Sequence, residues 1–235
     1  MNQDPELITL HHLINLYLLQ TPRGPVLVDS ALPGMYLWIA ARLRRRGVFP
    51  RDLAGIVLTH FHLDHAGTAA LFNRDGVPVL AHRDEIPILA GEAPHPGYGG
   101  AGGKVLLAAE RALFRRPVFS HLVPLEPDVP LLDSDWTVVS APGHSPGSLA
   151  LWNARSQSLL SGDTLITTFG RPRGPVPLYT ADLRRARDSA RRLLDLEPLR
   201  ILPGHGPTVS ATRFSKLRAT LTPAAGDPCR EAARR

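Results

Sequence analysis

The sequence is poor in cysteine, in lysine and in long apolar segments, and each shortage excludes a class of protein. The one cysteine, Cys229, cannot form a disulfide within the chain, and its Pro/Arg-rich surroundings offer a thiolate neither a base nor a pocket. No apolar run approaches the roughly 18 to 20 residues that span a bilayer. The first residues lack the basic and apolar segments of a secretory signal. These absences predict a cytoplasmic protein without a membrane partner.

Lysine is almost absent, so arginine carries nearly all of the positive charge. The chain has 27 basic and 21 acidic residues, a formal net charge of +6, and its lysines are Lys104 and Lys216. Arginine clusters such as the one over residues 184–192 are typical of the solvated face of a helix. No aromatic platform for stacking nucleic-acid bases is evident. We therefore expect a small-molecule substrate rather than a nucleic acid, and a homodimer stays open as the assembly.

The chain does contain a regular alternation of strand-like and helix-like segments, and its 235 residues predict one α/β domain over 1–235. The first half predicts strands at 13–19, 26–29, 55–59 and 77–80 and helices at 34–46 and 68–73. The second half predicts strands at 137–140, 148–152, 158–161 and 200–202 and a helix at 181–196 with Thr180 as its cap. Two such halves indicate two packed sheets covered outside by helices.

Two segments interrupt this alternation. Residues 91–103 are too rich in glycine and proline for a regular element, and they predict either a mobile lid or a long surface loop. After about residue 211 the chain offers only a short helix and a Pro/Gly/Arg tail.

A dense group of metal-binding residue types follows directly on one predicted buried strand, in the run His60-Phe61-His62-Leu63-Asp64-His65. Residues two apart in an extended segment point to the same side, so His60 and His62 can bind one ion together. Asp64 and His65 come after the chain begins to turn and can face a second ion nearby. The remaining histidines have no other metal-binding residue types in a comparable motif and are expected to be ordinary polar residues. They are His11, His12, His82, His95 and His121.

Three later segments share one design, in which a ligand type sits on a tight turn beside an apolar strand. They are Pro142-Gly143-His144-Ser145-Pro146-Gly147, Ser161-Gly162-Asp163-Thr164 and Pro203-Gly204-His205-Gly206-Pro207. Glycine and proline fix the backbone of such turns, which suits a ligand that must be rigidly aimed. Together with the His60 run, these turns predict a metal centre.

In this order the motifs resemble those of the metallo-β-lactamase superfamily, and the resemblance covers about residues 14–207. The T-H-x-H-x-D-H-x-G signature lies at residues 59–67. Asp29 matches the acidic residue that ends an earlier strand in the family pattern. The resemblance implies an α/β fold, an αββα sandwich of two mixed β-sheets flanked by helices, with the site at one edge. It assigns a first ion to His60, His62 and His144, a second ion to Asp64, His65 and His205, and a bridging position to Asp163.

Such a centre predicts a metal-dependent hydrolase with two divalent ions. Zinc is the expected metal, with iron or manganese as alternatives, because the ligands are imidazoles and carboxylates without thiolate. Coordination lowers the pKa of water toward roughly 7, so a metal-bridging hydroxide can attack an ester-type bond. The predicted catalytic residues are Asp64, Asp163 and Tyr179, the last as a helper of the leaving group. Asp29 is expected to orient the ligand loops.

The sequence leaves the substrate open. Thioesters and lactones come first, although only about 30 residues follow His205, too few for the helical region that binds glutathione in glyoxalase II enzymes. The bridging Asp163 argues against a β-lactam. One alternative is a phosphodiesterase or nuclease of the same fold, for which the Gly-rich segment ending at Lys104 is a poor RNA-binding arm. The other is a sulfur dioxygenase-like oxidoreductase with a single iron ion, which would leave the second ligand set unused.

Overall fold

The computed structural model describes residues 5–10, 13–114 and 117–221, and its first half forms a six-stranded sheet. The strands are β1 (Glu6–Leu10), β2 (Ile14–Thr21), β3 (Gly24–Val28), β4 (Gly55–Leu58), β5 (Val79–His82) and β6 (Leu122–Leu125). They lie side by side in chain order. The pairs β1–β2 and β2–β3 are antiparallel, and β3 through β6 are parallel, so the carboxyl ends of four neighbouring strands meet at one edge.

The second half contributes a five-stranded sheet and a separate hairpin. Its strands are β7 (Trp136–Ser140), β8 (Leu149–Asn153), β9 (Ser158–Gly162), β10 (Ile166–Thr168), β11 (Arg171–Arg173), β12 (Arg200–Pro203) and β13 (Val209–Ser210). The sheet has the order β13-β12-β9-β8-β7, in which β9 and β12 are parallel and the other pairs are antiparallel. Among the residues that the structure describes, the strands β10 and β11 pair only with each other.

Helices flank the two sheets. They are α1 (Tyr36–Arg44), α2 (Leu63–Ala66), α3 (Ala69–Arg74), α4 (Ile86–Leu89), α5 (Gly100–Leu113), α6 (Leu183–Asp195) and α7 (Ser215–Leu221). In β2, Leu16 and Leu18 join the apolar core with α1 and α3, whereas Tyr17 and Leu19 join the core between the sheets. Leu193 of α6 lies in a third core on the far side of the second sheet. The predicted αββα sandwich of two mixed sheets is therefore confirmed.

The prediction that residues 91–103 hold no regular element is wrong at its end, because α5 begins at Gly100. The glycines there permit close packing. A Cβ on Gly103 would lie 2.5 Å from the carbonyl carbon of Tyr98, and one on Gly99 would lie 2.0 Å from the carbonyl oxygen of Pro177. Some glycines of this segment therefore allow two backbone segments to approach closely, whereas others allow the chain to turn. Composition alone does not distinguish these two roles.

The prediction that Thr180 caps α6 is also wrong. The cap is Asp182, whose side chain accepts the hydrogen bond from the backbone N–H of Arg185 at 3.0 Å. The short helix expected after residue 211 is present as α7, whereas Cys229 lies outside the described residues. Among the helices that the structure describes, none is both long and apolar enough to cross a membrane.

Candidate metal centre

The seven residues predicted as ligands come together at one edge of the sandwich, in segments that follow strands of both sheets. β4 ends two residues before His60, and the chain then enters α2, which contains Asp64 and His65. In the second sheet, β7, β9 and β12 are followed by His144, Asp163 and His205. Sites at the carboxyl ends of strands are usual in α/β folds, because the loops there converge.

The first group consists of imidazoles only. His60, His62 and His144 are buried, and their ligand atoms lie within 4.8 Å of one another. The rings meet edge to face with centroids 4.6 Å apart in each pair, and Nδ1 of His62 lies 3.0 Å from Nε2 of His144. Burial lowers the pKa of His60 and His62 well below the usual value and that of His144 to about 4. These rings are therefore neutral, which is the form of histidine that binds metal.

The second group mixes imidazole and carboxylate. Nε2 of His205 lies 3.3 Å from Oδ2 of Asp64 and 3.2 Å from Nε2 of His65. Burial lowers the pKa of His65, but nearby carboxylates, first among them Asp29, outweigh it and raise that pKa to about 9. Burial also lowers the pKa of His205, but the negative charge of Asp163 has the larger effect and raises that pKa to about 12. A cation bound here would replace these protons, since histidine must be deprotonated to coordinate metal.

The carboxylate of Asp163 lies between the two groups. Its Oδ2 is 3.6 Å from Nε2 of His144 on one side and 3.2 Å from Nε2 of His205 on the other. Its Oδ1 is 3.4 Å from Nε2 of His65. Burial raises the pKa of Asp163, but His205 and His65 outweigh it and hold that pKa well below the usual value. The group is therefore an anion shared by both sets.

The donor set fits metal ions better than it fits hydrogen bonding alone. Nε2 of His60 and Oδ1 of Asp163 are buried and have no hydrogen-bond partner among the described residues. An unsatisfied buried acceptor costs about 1–3 kcal/mol, and cation binding removes this cost. Imidazole nitrogens and carboxylate oxygens that converge in this way suit divalent transition metals.

Asp29 fixes the tautomer of one histidine in each group. Its Oδ2 lies 2.8 Å from Nδ1 of His65, and its carboxylate accepts hydrogen bonds from the backbone N–H and the hydroxyl of Thr59. Because the Thr59 hydroxyl donates its one hydrogen to Asp29, it accepts from Nδ1 of His60 at 3.0 Å. Both histidines therefore carry hydrogen on Nδ1 and direct Nε2 toward the centre.

Two further histidines are oriented by the same principle. The hydroxyl of Thr180 donates to the carbonyl oxygen of Val176 at 2.7 Å, so it accepts from Nδ1 of His144 at 3.3 Å. Nδ1 of His205 donates to the carbonyl oxygen of Leu13. In both rings Nε2 is left to face Asp163. Thr180, which does not cap α6, thus orients a predicted ligand.

One buried carboxyl near the centre was missed by the sequence interpretation. Glu85 is fully buried, and it accepts hydrogen bonds from the N–H of Phe61 at 2.8 Å, the hydroxyl of Ser145 at 2.7 Å and the N–H of Gly147 at 2.6 Å. Burial raises the pKa of Glu85 to about 7, although these hydrogen bonds act to lower it. Glu85 ties the His60 loop to the His144 loop. Its sequence signal was weak: an acidic residue just after a strand that ends at the ligand edge.

A cavity of about 570 Å³ opens over the centre. Its floor contains five of the seven predicted ligands, namely His62, Asp64, His144, Asp163 and His205. Its walls are mainly apolar, with Leu13, Leu32, Leu63, Leu106, Leu113, Phe114, Ile166 and Val176. Tyr179, predicted as a catalytic helper, lines this cavity and is 43% exposed. Tyr98 stands between Tyr179 and the ligands, with its ring 6.2 Å from that of Tyr179 and 4.9 Å from that of His62. The hydroxyl of Tyr98 donates to Glu110 at 2.6 Å.

Comparison with known proteins agrees with this geometry. Residues 12–205 match the metallo-beta-lactamase superfamily. The Bacillus subtilis protein named "Probable metallo-hydrolase YflN" is 31% identical over 230 residues, which cover 89% of this chain and 86% of that protein. The N-acyl homoserine lactonase AiiA of Bacillus thuringiensis subsp. kurstaki is 26% identical over 193 residues, which cover 68% of this chain and 66% of that enzyme.

A solved structure also superposes on the chain. The crystal structure of TTHA1623 in a di-iron-bound form is 30% identical in sequence, with a TM-score of 0.70, and the match covers 90% of this chain and 97% of that one. The fold, the cluster of histidines and aspartates and these relatives lead to one conclusion: this chain belongs to the metallo-beta-lactamase superfamily and is a hydrolytic enzyme.

Proposed function

We propose that this chain is a dinuclear metal-dependent hydrolase that cleaves an ester-type bond in a lactone or a thioester. The position of Asp163 carries the proposal, because its carboxylate lies beside histidines of both adjoining ligand groups. A centre for one ion would need only the imidazole group. A complete second group around Asp64 would then have no purpose.

The residues of the chain divide between two ions. His60, His62 and His144 would hold the first ion, Asp64, His65 and His205 the second, and Asp163 both. When bound, the ions supply an activated water and polarise the oxygen of the scissile carbonyl. Zinc suits these ligands, and iron is the second expectation because the similar protein TTHA1623 has a di-iron-bound form.

The two carboxylates differ in exposure, which suggests different roles. The side chain of Asp163 is 12% exposed and serves to hold the centre together. The side chain of Asp64 is 35% exposed and lines the cavity, so it can take a proton from the attacking water and pass it toward the leaving group. Tyr179, at the rim of the same cavity, is in a position to donate a hydrogen bond to the leaving group.

The cavity walls favour an acyl substrate. Leucine and phenylalanine side chains dominate them, and in the described residues no arginine or lysine lines this cavity. A phosphodiester would need cationic side chains beside the reacting group, so the nuclease alternative is weaker. The similarity to an N-acyl homoserine lactonase supports an acyl substrate with a lactone or related ester bond. The mononuclear-iron dioxygenase is disfavoured by the complete second group of ligands.

Metal analysis tests the proposal directly. Protein purified without added metal should contain about two ions per chain by elemental mass spectrometry, and one iron per chain would refute the dinuclear assignment. His60→Ala should lose the first ion and hydrolytic activity. His121→Ala removes an exposed histidine outside the centre and should change neither.

A substrate panel completes the test. Thioesters, acyl lactones and a bis-aryl phosphodiester should be offered to the same metal-loaded protein. We expect the carboxylic substrates to be hydrolysed much faster. A preference for the phosphodiester would assign the chain to the alternative function.

A further inference from the structure

The loop of residues 203–207, which carries the predicted ligand His205, is held in place by β2 of the other sheet. Asn15 and Tyr17 lie two residues apart in β2, so their side chains point to the same face of the first sheet. Tyr17 belongs to the core between the sheets, so this face is the one that meets the second sheet. The contact between β2 and the loop therefore joins the two sheets at the edge where the predicted ligands meet.

Asn15 makes three hydrogen bonds to backbone carbonyl groups of this loop. Its backbone N–H donates to Gly204 at 2.8 Å, and its side-chain Nδ2 donates to Pro203 at 2.9 Å and to Gly206 at 2.6 Å. These carbonyl groups lie on both sides of His205 in the chain. One residue of the first sheet therefore fixes the backbone before and after a predicted ligand of the second sheet.

The side chain of Asn15 is suited to this contact because a primary amide has two N–H groups. The residue is fully buried, and within the described residues each hydrogen bond of its side chain goes to the loop. Its Oδ1 is also buried and has no hydrogen-bond partner there. A half turn of the amide would bring this oxygen against the two carbonyl oxygens and break both bonds, so the amide has one stable orientation.

Two residues close to Asn15 in the sequence extend this contact. The hydroxyl of Tyr17 donates to the carbonyl oxygen of Pro203 at 2.8 Å. The carbonyl oxygen of Leu13 accepts the hydrogen bond from Nδ1 of His205. Leu13, Asn15 and Tyr17, which we call the β2 clamp, therefore hold both the loop and the ring of the predicted ligand.

The position of this loop affects the second ligand group more than the first. A Cβ on Gly204 would lie 2.6 Å from Oδ1 of Asp163 and 2.9 Å from Cε1 of His65, so the loop packs directly on both side chains. Nε2 of His205 also lies 3.3 Å from Oδ2 of Asp64. In the part of the chain that the structure describes, the three imidazoles of the first group make no hydrogen bond or ring contact with the loop. A shift of the loop would therefore separate the ligands of the second ion and leave those of the first in place.

We propose that Asn15 is a positioning residue for the second metal ion, and that the centre holds only the first ion when the β2 clamp is broken. This inference rests on the proposed function, because it requires a centre for two ions. It deepens that function by assigning control of the second ion to a contact between the two sheets. The first ion keeps its three imidazoles, whose loops are joined separately by Glu85.

The test compares the metal content of Asn15→Ala with that of Asn73→Ala. Asn73 is a matched control because it is also buried and its Nδ2 also donates to two backbone carbonyl groups, those of Val77 at 3.0 Å and His121 at 2.9 Å. Neither of these carbonyl groups belongs to a predicted ligand or its loop. Elemental mass spectrometry should find about two ions per chain in the wild type and in Asn73→Ala, and about one in Asn15→Ala. Chelator competition should show that Asn15→Ala binds the second ion about 10- to 100-fold more weakly.

Ligand variants identify the ion that is lost. His205→Ala removes a ligand of the second ion, and His60→Ala removes a ligand of the first. Adding Asn15→Ala to His205→Ala should not lower the metal content further, whereas adding it to His60→Ala should remove the remaining ion. General destabilisation of the fold would not depend in this way on the ligand that is already missing.

Tyr17→Phe tests the clamp with a smaller change in shape. It removes one hydrogen bond to Pro203, and we expect the second ion to bind about twofold to tenfold more weakly. This variant decides the test if Asn15→Ala does not fold, and unchanged binding of both ions in it would then overturn the inference.

The outcomes separate this inference from the function on which it rests. Two ions bound with wild-type affinity in Asn15→Ala would overturn the inference and leave the proposed function intact. An equal loss of metal in Asn15→Ala and Asn73→Ala would do the same, because the loss would then reflect stability alone. A wild type that binds a single ion per chain would instead refute the dinuclear function itself.

Discussion

The carboxylate of Asp29 lies 2.8 Å from Nδ1 of His65, and both side chains are buried behind the predicted metal centre. The same carboxylate reaches His60 through the hydroxyl of Thr59. One acidic residue therefore sets the orientation of an imidazole in each ligand group. Asp29 itself has a backbone φ of 61°, in the left-handed region that aspartate tolerates better than most residues.

Asp29→Ala should weaken both metal sites. Without the carboxylate, the tautomers of His65 and His60 are no longer fixed, and loss of such an outer partner typically costs about 10- to 100-fold in metal affinity. Chelator competition, followed by the amount of each ion retained, measures the change. Asp135→Ala, which removes an exposed carboxylate, is the control and should leave metal affinity unaltered. Normal retention of both ions in Asp29→Ala would contradict the assigned role.

Glu85→Gln should destabilise the protein and change its pH dependence. The glutamine amide cannot accept from both N–H donors, so we expect a loss of about 1–3 kcal/mol in the free energy of unfolding. The pKa of Glu85 is raised in the folded chain, from 4.5 to about 7, so the folded state holds this proton more tightly than the unfolded state does. Its contribution to stability is therefore largest below pH 4.5 and falls as the pH rises to about 7.

Denaturant unfolding of metal-loaded wild type and Glu85→Gln across this pH range measures that contribution. The difference between the two free energies should fall by up to about 3.5 kcal/mol between pH 4.5 and 7, at about 1.4 kcal/mol for each unit of pKa shift. Glu92→Gln, at an exposed position, is the matched control. A constant difference would show that Glu85 does not titrate in this range.

Tyr179→Phe should lower kcat and leave KM nearly unchanged. The proposed hydrogen bond to the leaving group forms as the bond breaks, and such proton-donating assistance is typically worth about 100-fold or more. The effect should diminish for substrates with a better leaving group, which is a readout that a structural role would not produce. Tyr36→Phe alters a tyrosine that donates a hydrogen bond to Asp75 and does not line the cavity, and its kinetics should match those of the wild type.

Leu106→Trp should shorten the acyl chains that the enzyme accepts. Leu106 lines the cavity, and a larger ring there occupies space that a long chain would fill. In the wild type each added CH₂ should raise kcat/KM by up to about fourfold until the cavity is full, since burial of one CH₂ contributes about 0.8 kcal/mol. Val105→Trp changes the neighbouring side chain, which is 71% exposed and not part of the cavity wall. Equal chain-length profiles for the two variants would refute the acyl cavity.

Much of the fold was predictable because strands and helices bury apolar side chains with regular periods. The buried run of β4 and the stripe of α6 were both visible in this way. The strands β1, β6, β10, β11 and β13 were missed; each has five residues or fewer, and β6 and β11 are mostly not buried. Strand β5 was predicted at residues 77–80 and is observed at Val79–His82. The prediction began two residues too early because the apolar run starts before the backbone begins to pair with the neighbouring strands. The spacing of apolar residues indicates which side chains are buried. It does not indicate which backbone N–H and C=O groups form hydrogen bonds with a neighbouring strand.

The sequence by itself determined which residue types could bind metal and in what order they follow apolar strands, because the His60 run and the three Gly/Pro turns each place such a side chain next to an apolar strand. The tertiary structure decided how these motifs are held. Glu85 joins residues 24 and 60 positions away, and Thr180 orients His144 from 36 positions away. The wall that Ile166 and Thr168 add to the cavity likewise depends on hydrogen bonds from Thr167 to the carbonyl oxygens of His205 and Pro207. Hydrogen bonds and cavities depend on distance in space, and neighbouring residue types along a chain do not encode that distance.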